Sequence, residues 1–219
     1  MTQEEVQPQK DELIEDRFSH FYEGGAMVPI VYEELPQGAV DYFEGKSRQY
    51  TPKDEYKERN FAAISKITHP DGTITYAAEG EQLWGDGNIG GVVYFVDYVD
   101  DTPVGHSELC FNPNMMGHEE GMAPPFVGMT RTYDENDKES EGKSFRKMGL
   151  GKRRLIEMDA YARALYDRPL DSDSLLISDG IDEEGKRTSS IRRIWEGLVG
   201  EGKAEEYTDG HGNVRYRMK

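Results

Sequence analysis

Two apolar runs separated by a four-residue break constrain the fold most. Val92 to Val99 and Val104 to Phe111 are rich in β-branched and aromatic residues. Asp100-Asp101-Thr102-Pro103 between them is turn chemistry, so the runs must pair as antiparallel strands. Upstream, Phe61 to Glu79 repeats the pattern, with Asp71-Gly72 as its hairpin signal. A glycine-rich loop from Gly80 to Gly91 separates the two units. Phe126 to Tyr133 reads as a further strand, after a loop that holds Pro124-Pro125.

Helical spacing enters later. Leu155, Met158, Ala162 and Leu165 recur three and four apart, which predicts a helix over about Lys152–Leu165 that ends near Asp167-Arg168-Pro169. Leu175-Leu176-Ile177 reads as a short buried strand. A second helix should start around Thr188 to Ser190 and carry Ile191, Ile194, Trp195 and Leu198 on one face. Glu205 to Thr208 and Val214 to Met218 flank a closing hairpin. Residues 1–20 read as a polar lead with a short amphipathic helix, and Gly24 to Asn60, punctuated by Pro29, Pro36 and Pro52, stays unassigned. A strand–helix–strand crossover should create one parallel strand pair around the first helix. The expected fold is therefore α+β, or mixed α/β: a central, mostly antiparallel sheet with one parallel pair and helices on both faces.

Charge is distributed unevenly. Residues 1–125 hold 8 Lys+Arg against 24 Asp+Glu, a balance of −16, while residues 126–219 hold 18 against 19, a balance of −1. The acidic half argues against a long nucleic acid track and mildly favours a cationic partner. No apolar run approaches the ~20 residues that cross a bilayer, and the charged first twenty residues are unlike a secretory signal. A cytoplasmic location is the expectation. Cys110 is the one cysteine of 219 residues, which excludes an internal disulfide and a cysteine-rich zinc site. His118-Glu119-Glu120 has no second histidine four residues on, so no metal site is expected. Met115, Met116 and Met122 near Pro124-Pro125 suit a loop that covers an apolar acceptor or plugs the core edge.

Before the first helix, Lys143, Arg146, Lys147, Lys152, Arg153 and Arg154 gather around Gly149 and Gly151, with no acid between Lys143 and Ile156. Glycines entering a helix leave backbone N–H groups bare, and these favour an anion together with the helix dipole. A Walker loop fails here, because Gly151-Lys152 is followed by Arg153 and lacks the earlier glycine. A dinucleotide fingerprint fails at Arg154, which occupies its third glycine position.

The run Arg146-Lys147-Met148-Gly149-Leu150-Gly151 fits the pattern Arg/Gln-x-x-Gly-x-Gly/Ala. With the strand before it and the helix after it, the chain from about Val92 to Met218 resembles the GNAT superfamily of acetyl-CoA-dependent N-acetyltransferases. Tyr94 to Gly105 resembles that family's second and third strands, and Ser189 to Leu198 resembles its last helix. The resemblance implies a divergent acidic N-terminal segment over residues 1–60 and an acyl-CoA-binding domain over 61–219. It implies direct transfer of an acetyl group from acetyl-CoA to an amine acceptor, with a homodimer as a further option. The alternative is a protein of that fold that has lost catalysis and serves as a binding or structural module.

By that resemblance Met148, Gly149, Leu150, Gly151 and Lys152 cradle the pyrophosphate of coenzyme A. Arg146, Lys147, Arg153 and Ser189 stand near its phosphates, and Met129, Thr130 and Arg131 border the pantetheine arm. An amine must lose a proton to act as nucleophile. His106 and Glu108, two apart on one strand and thus on one face, are candidate bases. Asp179 is a third. Many family members carry a tyrosine acid where this chain has Trp195, so Tyr207 and Tyr216 are the substitute candidates, Tyr207 first. The long charged segment Asp134 to Phe145 also departs from the family's short turn.

Overall fold

The computed structural model describes residues 26–50, 61, 64–83, 89–111, 124–133, 136, 138, 142–145, 148–172, 180–181, 187–188 and 190–219. Six strands form one sheet in chain order: β1 (Ala26–Pro29), β2 (Ile64–Thr68), β3 (Ile74–Leu83), β4 (Ile89–Val99), β5 (Thr102–Phe111) and β6 (Phe126–Thr132). Every neighbouring pair is antiparallel. The two hairpins expected at Asp71-Gly72 and at Asp100-Asp101-Thr102-Pro103 are both present, the second with a tighter turn because β5 already begins at Thr102. Gly72 has φ +83°, and Asp100 and Asp101 have φ 47° and 62°, so both turns use left-handed residues that match the strand twist.

Strand β4 sits at the centre, and its period-2 alternation feeds two cores. Val92, Tyr94, Val96 and Tyr98 pack with Tyr76 and Ala78 beneath helix α1 (Gln37–Tyr50), which contributes Ala39 and Phe43. Val93 and Phe95 pack with Leu109 and Val127 on the other face. There they meet helix α2 (Leu150–Tyr166) through Leu155, Met158, Tyr161 and Ala162. Helix α3 (Ser190–Gly200) adds Ile191, Trp195 and Leu198 to the same core. Residues 26–50, which the sequence leaves unassigned, thus supply an edge strand and a covering helix. Pro36 starts α1 by accepting the backbone N–H groups of Ala39 and Val40 at 2.9 and 3.2 Å.

The expected parallel pair is corrected by the structure. Among the described residues, parallel contact is reduced to a single bridge between Phe126 and Asp171. Helix α2 ends at Asp167, left-handed at φ 53°, and the chain then passes Arg168-Pro169 to Asp171. Asp171 bonds at the start of β6, through Asp171 N–H to Pro125 O and Val127 N–H to Asp171 O, and bridges Arg217 on its other side. The pairing of β5 with β6 skips Gly128. Such a bulge bends the strand; among the described residues, the contacts of the returning chain with β6 lie before it. The architecture is a strand-rich α+β fold with one antiparallel six-stranded sheet and separate two-stranded sheets. Those are β7 (Gly180–Ile181) with β8 (Arg187–Thr188), and β9 (Ala204–Thr208) with β10 (Val214–Met218). The expected strand 175–177 and the expected helix within 1–20 lie outside the described residues. Among the described residues, no helix is long and apolar enough to cross a membrane.

Candidate functional site

Two groups of predicted residues come together at the C-terminal end of β6. The first is the glycine-flanked start of α2. Gly149 takes φ +79° with open space where a Cβ would stand, so glycine is needed there for its backbone angle. The first intrahelical bond runs from Arg153 N–H to Gly149 O at 3.1 Å. The N–H groups of Leu150, Gly151 and Lys152 precede it and have no intrahelical acceptor. Gly151 serves packing instead: a Cβ would lie 2.7 Å from Ile194 Cδ1, so its smallness lets α3 approach α2. Met148 is 54% exposed at the mouth of this turn.

The cationic cluster does not act as a unit. Lys152 forms an exposed ion pair with Glu201, a type that water weakens. Arg153 turns toward the β2–β3 hairpin, 3.2 Å from Asp71 Oδ2 and 3.4 Å from Glu157 Oε1. Arg154 is 1% exposed and donates from Nε to Asp97 Oδ2. Its Nη1 donates to the Arg131 carbonyl at 2.8 Å and to Thr132 Oγ1 at 3.1 Å, which ties the first turns of α2 to the end of β6. Gly105 makes room for this guanidinium, since a Cβ there would lie 2.1 Å from Arg154 Nη2. Arg146, Lys147, Ser189 and Asp179 lie outside the described residues, as does the run His118-Glu119-Glu120.

Asp97 extends the buried network across the sheet. Thr75 Oγ1 donates to Asp97 Oδ1 at 2.8 Å, and His69 Nε2 lies 2.8 Å from Thr75 Oγ1 and 3.2 Å from Glu157 Oε1. The Thr75 hydrogen is committed to Asp97, so His69 Nε2 must be the donor to Thr75. Burial, aided by the Arg153 charge, lowers the His69 pKa to about 4. Burial, followed by the Asp97 charge, raises the Glu157 carboxyl well above the usual range.

The second group faces α1. His106 and Glu108 share one side of β5, as their spacing requires, and pair across the ladder with Arg131 and Met129. Glu108 is buried, and Tyr42 of α1 donates to its Oε1 at 3.1 Å. Burial and the Glu108 charge push the Tyr42 phenol upward, so it stays protonated. The Tyr42 ring lies 4.6 Å from the His106 ring. His106 Nδ1 is 2.9 Å from Tyr133 Oη, and its Nε2 is 3.3 Å from Met129 Sδ. Tyr133 packs in turn with Val104, Phe145 and Leu150, the first residue of α2. Tyr133 thereby joins the two groups, a role that sequence reasoning missed.

Beyond Val127 the outer edge of β6 has no strand neighbour among the described residues. Met129 and Arg131 are exposed along it. Thr130 Oγ1 is buried there without a hydrogen-bond partner. A pantetheine-like chain, whose amides carry donors and acceptors, fits such an edge, and the bare first turn of α2 fits a phosphate. These residues are compatible with an acyl-CoA.

The remaining candidates lie elsewhere. Tyr207 donates to Asp171 Oδ2 at 2.7 Å, with Arg217 stacked 4.6 Å above its ring and itself bonded to Asp171. Trp195 is buried and stacks on Tyr216, with centroids 6.0 Å apart. Both are structural in their surroundings. No family model, no curated protein and no solved structure matches this chain.

Proposed function

We propose that the protein is a cytoplasmic N-acyltransferase that moves an acetyl group from acetyl-CoA to an amine acceptor by direct transfer. One observation carries the reading. A helix start whose first three N–H groups have no intrahelical acceptor lies at the end of β6, a strand whose outer edge beyond Val127 has no strand neighbour among the described residues, and the buried Glu108 and His106 line the adjacent strand.

In this reading the first turn of α2 binds the pyrophosphate through the N–H groups of Leu150, Gly151 and Lys152, aided by the helix dipole. The β6 edge from Met129 to Arg131 holds the pantetheine by main-chain hydrogen bonds. Glu108, an acceptor-only group when ionised, takes the proton of the attacking amine. The acidic N-terminal half supports a cationic acceptor, such as a polyamine or a lysine side chain, over nucleic acid.

A second reading, binding of acyl-CoA without turnover, is favoured by the placement of Trp195 and Tyr207, since neither offers a free acid. Release of free thiol from acetyl-CoA, measured with spermidine and with a lysine peptide as acceptors, separates the two. Amine-dependent release is expected. Binding of acetyl-CoA with no thiol release by any acceptor would favour the second reading.

A further inference from the structure

Acyl transfer to an amine has two proton problems. The amine must lose a proton, and the departing thiolate must gain one. His106 and Glu108 enter the sequence reading as alternative bases, but the geometry separates their roles.

Two contacts of His106 favour one tautomer. Nε2 lies 3.3 Å from Met129 Sδ, and Nδ1 lies 2.9 Å from Tyr133 Oη. A thioether sulfur has lone pairs and no hydrogen, so it can only accept. Nε2 must therefore carry the hydrogen. A neutral imidazole has one N–H, which leaves Nδ1 bare to accept from the Tyr133 phenol. His106 thus presents an N–H toward the β6 edge, on the side of Met129, which is 36% exposed, and can pass that proton on if Nδ1 is protonated in the same step. Glu108 presents the opposite chemistry, a carboxylate that accepts from Tyr42.

The neighbour of Nε2 is itself informative. Met129 places a divalent sulfur within reach of the His106 N–H, at the edge where the reading above runs the pantetheine. A thioester sulfur is a similar atom, and an unbranched methionine side chain swings aside easily.

We propose that His106 is the proton donor to the departing thiolate, with Tyr133 as the partner at Nδ1 that resupplies its proton. The inference rests on the acyltransferase reading. As the amine attacks the carbonyl carbon, the C–N bond forms and Glu108 accepts the amine proton. The C–S bond then breaks and its electron pair stays on sulfur, which takes the Nε2 proton. Nδ1 receives the Tyr133 phenolic proton in the same relay. Water then returns a proton to the Tyr133 oxygen and removes the one on Glu108, so the protein ends as it began.

Two measurements test this. Long-range ¹H–¹⁵N spectra of histidine-labelled protein at pH 8 should show His106 as the Nε2–H tautomer, and Met129→Leu, which removes the acceptor at Nε2, should turn that signal into a mixture. A wild-type Nδ1–H tautomer would overturn the proposal without touching the wider reading. In kinetics, His106→Gln should lower kcat by about 10²–10⁴-fold with acetyl-CoA. The loss should shrink below about tenfold with an acetyl arylthioester, whose acidic thiol leaves without a proton. Glu108→Gln should stay impaired with both. Equal losses of His106→Gln on the two thioesters, beside an active wild type, would sink the proton-donor role alone. A wild type that releases no thiol from acetyl-CoA with any amine would remove the reading and this proposal together. Thermal melting checks that His106→Gln folds, and if it does not, Tyr133→Phe carries the kinetic comparison.

Discussion

Arg154 shows how far one residue's role depends on its partner. It stands among six cations before and within a helix start, yet it pairs with Asp97 in the core, 57 residues away in the chain. Its position four before Met158 places it on the apolar stripe of α2, and that was the available signal. The pairing itself could not be read, because only the folded sheet brings Asp97 beneath the helix. Removing one member of a buried pair strands the other charge. Arg154→Leu or Asp97→Leu should each destabilise the protein by about 3–5 kcal/mol, and the double variant Asp97→Leu/Arg154→Leu by clearly less than their sum. Urea titrations of the three variants check this; additive losses would argue against a coupled pair.

Gly151 carries a similar correction. Its expected role was close approach of an anion, but its Cβ direction points at Ile194. Gly151→Ala should cost about 1–3 kcal/mol from overpacking. Ile194→Val removes the clashing Cδ1, so it should recover most of that cost in a double-mutant cycle followed by thermal melting. His69 sets a pH dependence. Its folded pKa of about 4 lies below the ordinary 6.5, so the unfolded chain binds its proton first as pH falls. Its contribution to stability is full above pH 6.5 and declines toward pH 4, by about 3 kcal/mol across that window. Glu157 has the opposite sign, because its raised pKa removes stability as pH rises above the ordinary carboxylate range. His69→Gln should flatten the acid limb of a stability–pH curve; an unchanged limb would refute the assignment.

At the scale of elements, local chemistry was readable and distant chemistry was not. Hairpins β2–β3 and β4–β5 announce themselves through alternation and turn residues, and both turns bear left-handed residues. Helices α2 and α3 follow their apolar spacing. Helix α1 gives a weaker signal, since Ala39 and Phe43 are its only fully buried positions among the side chains described. Tyr42, which completes the Glu108 site, was hidden with it. The turn offers a direct test. Asp101 has φ 62°, a conformation glycine adopts without cost. Asp101→Gly should therefore raise stability by about 0.5–1 kcal/mol in thermal melts, and a loss would mean that the carboxylate does unrecognised work.

For the whole molecule, the crossover rule led to an expected parallel strand pair, and the described residues show only a single parallel bridge in its place. Asp171 bonds to the first residues of β6 on one side and to β10 on the other, and the rest of the β6 edge has no strand neighbour among the described residues. The consequence is functional in the account proposed here, because that edge and the start of α2 form one face. The acceptor side was not legible, since it depends on α1 and on segments with no local motif.

The central claim is that the first turn of α2 binds the phosphates of acetyl-CoA, and calorimetric titration with acetyl-CoA tests it most directly. Met148 is exposed and Lys152 is only loosely paired, so Met148→Glu and Lys152→Glu place negative charge at the mouth of the turn with little disturbance of the core. The account predicts a saturable heat for the wild type and affinities at least about tenfold weaker in both variants. No heat for the wild type, or equal affinity in variants that melt like it, would contradict the claim.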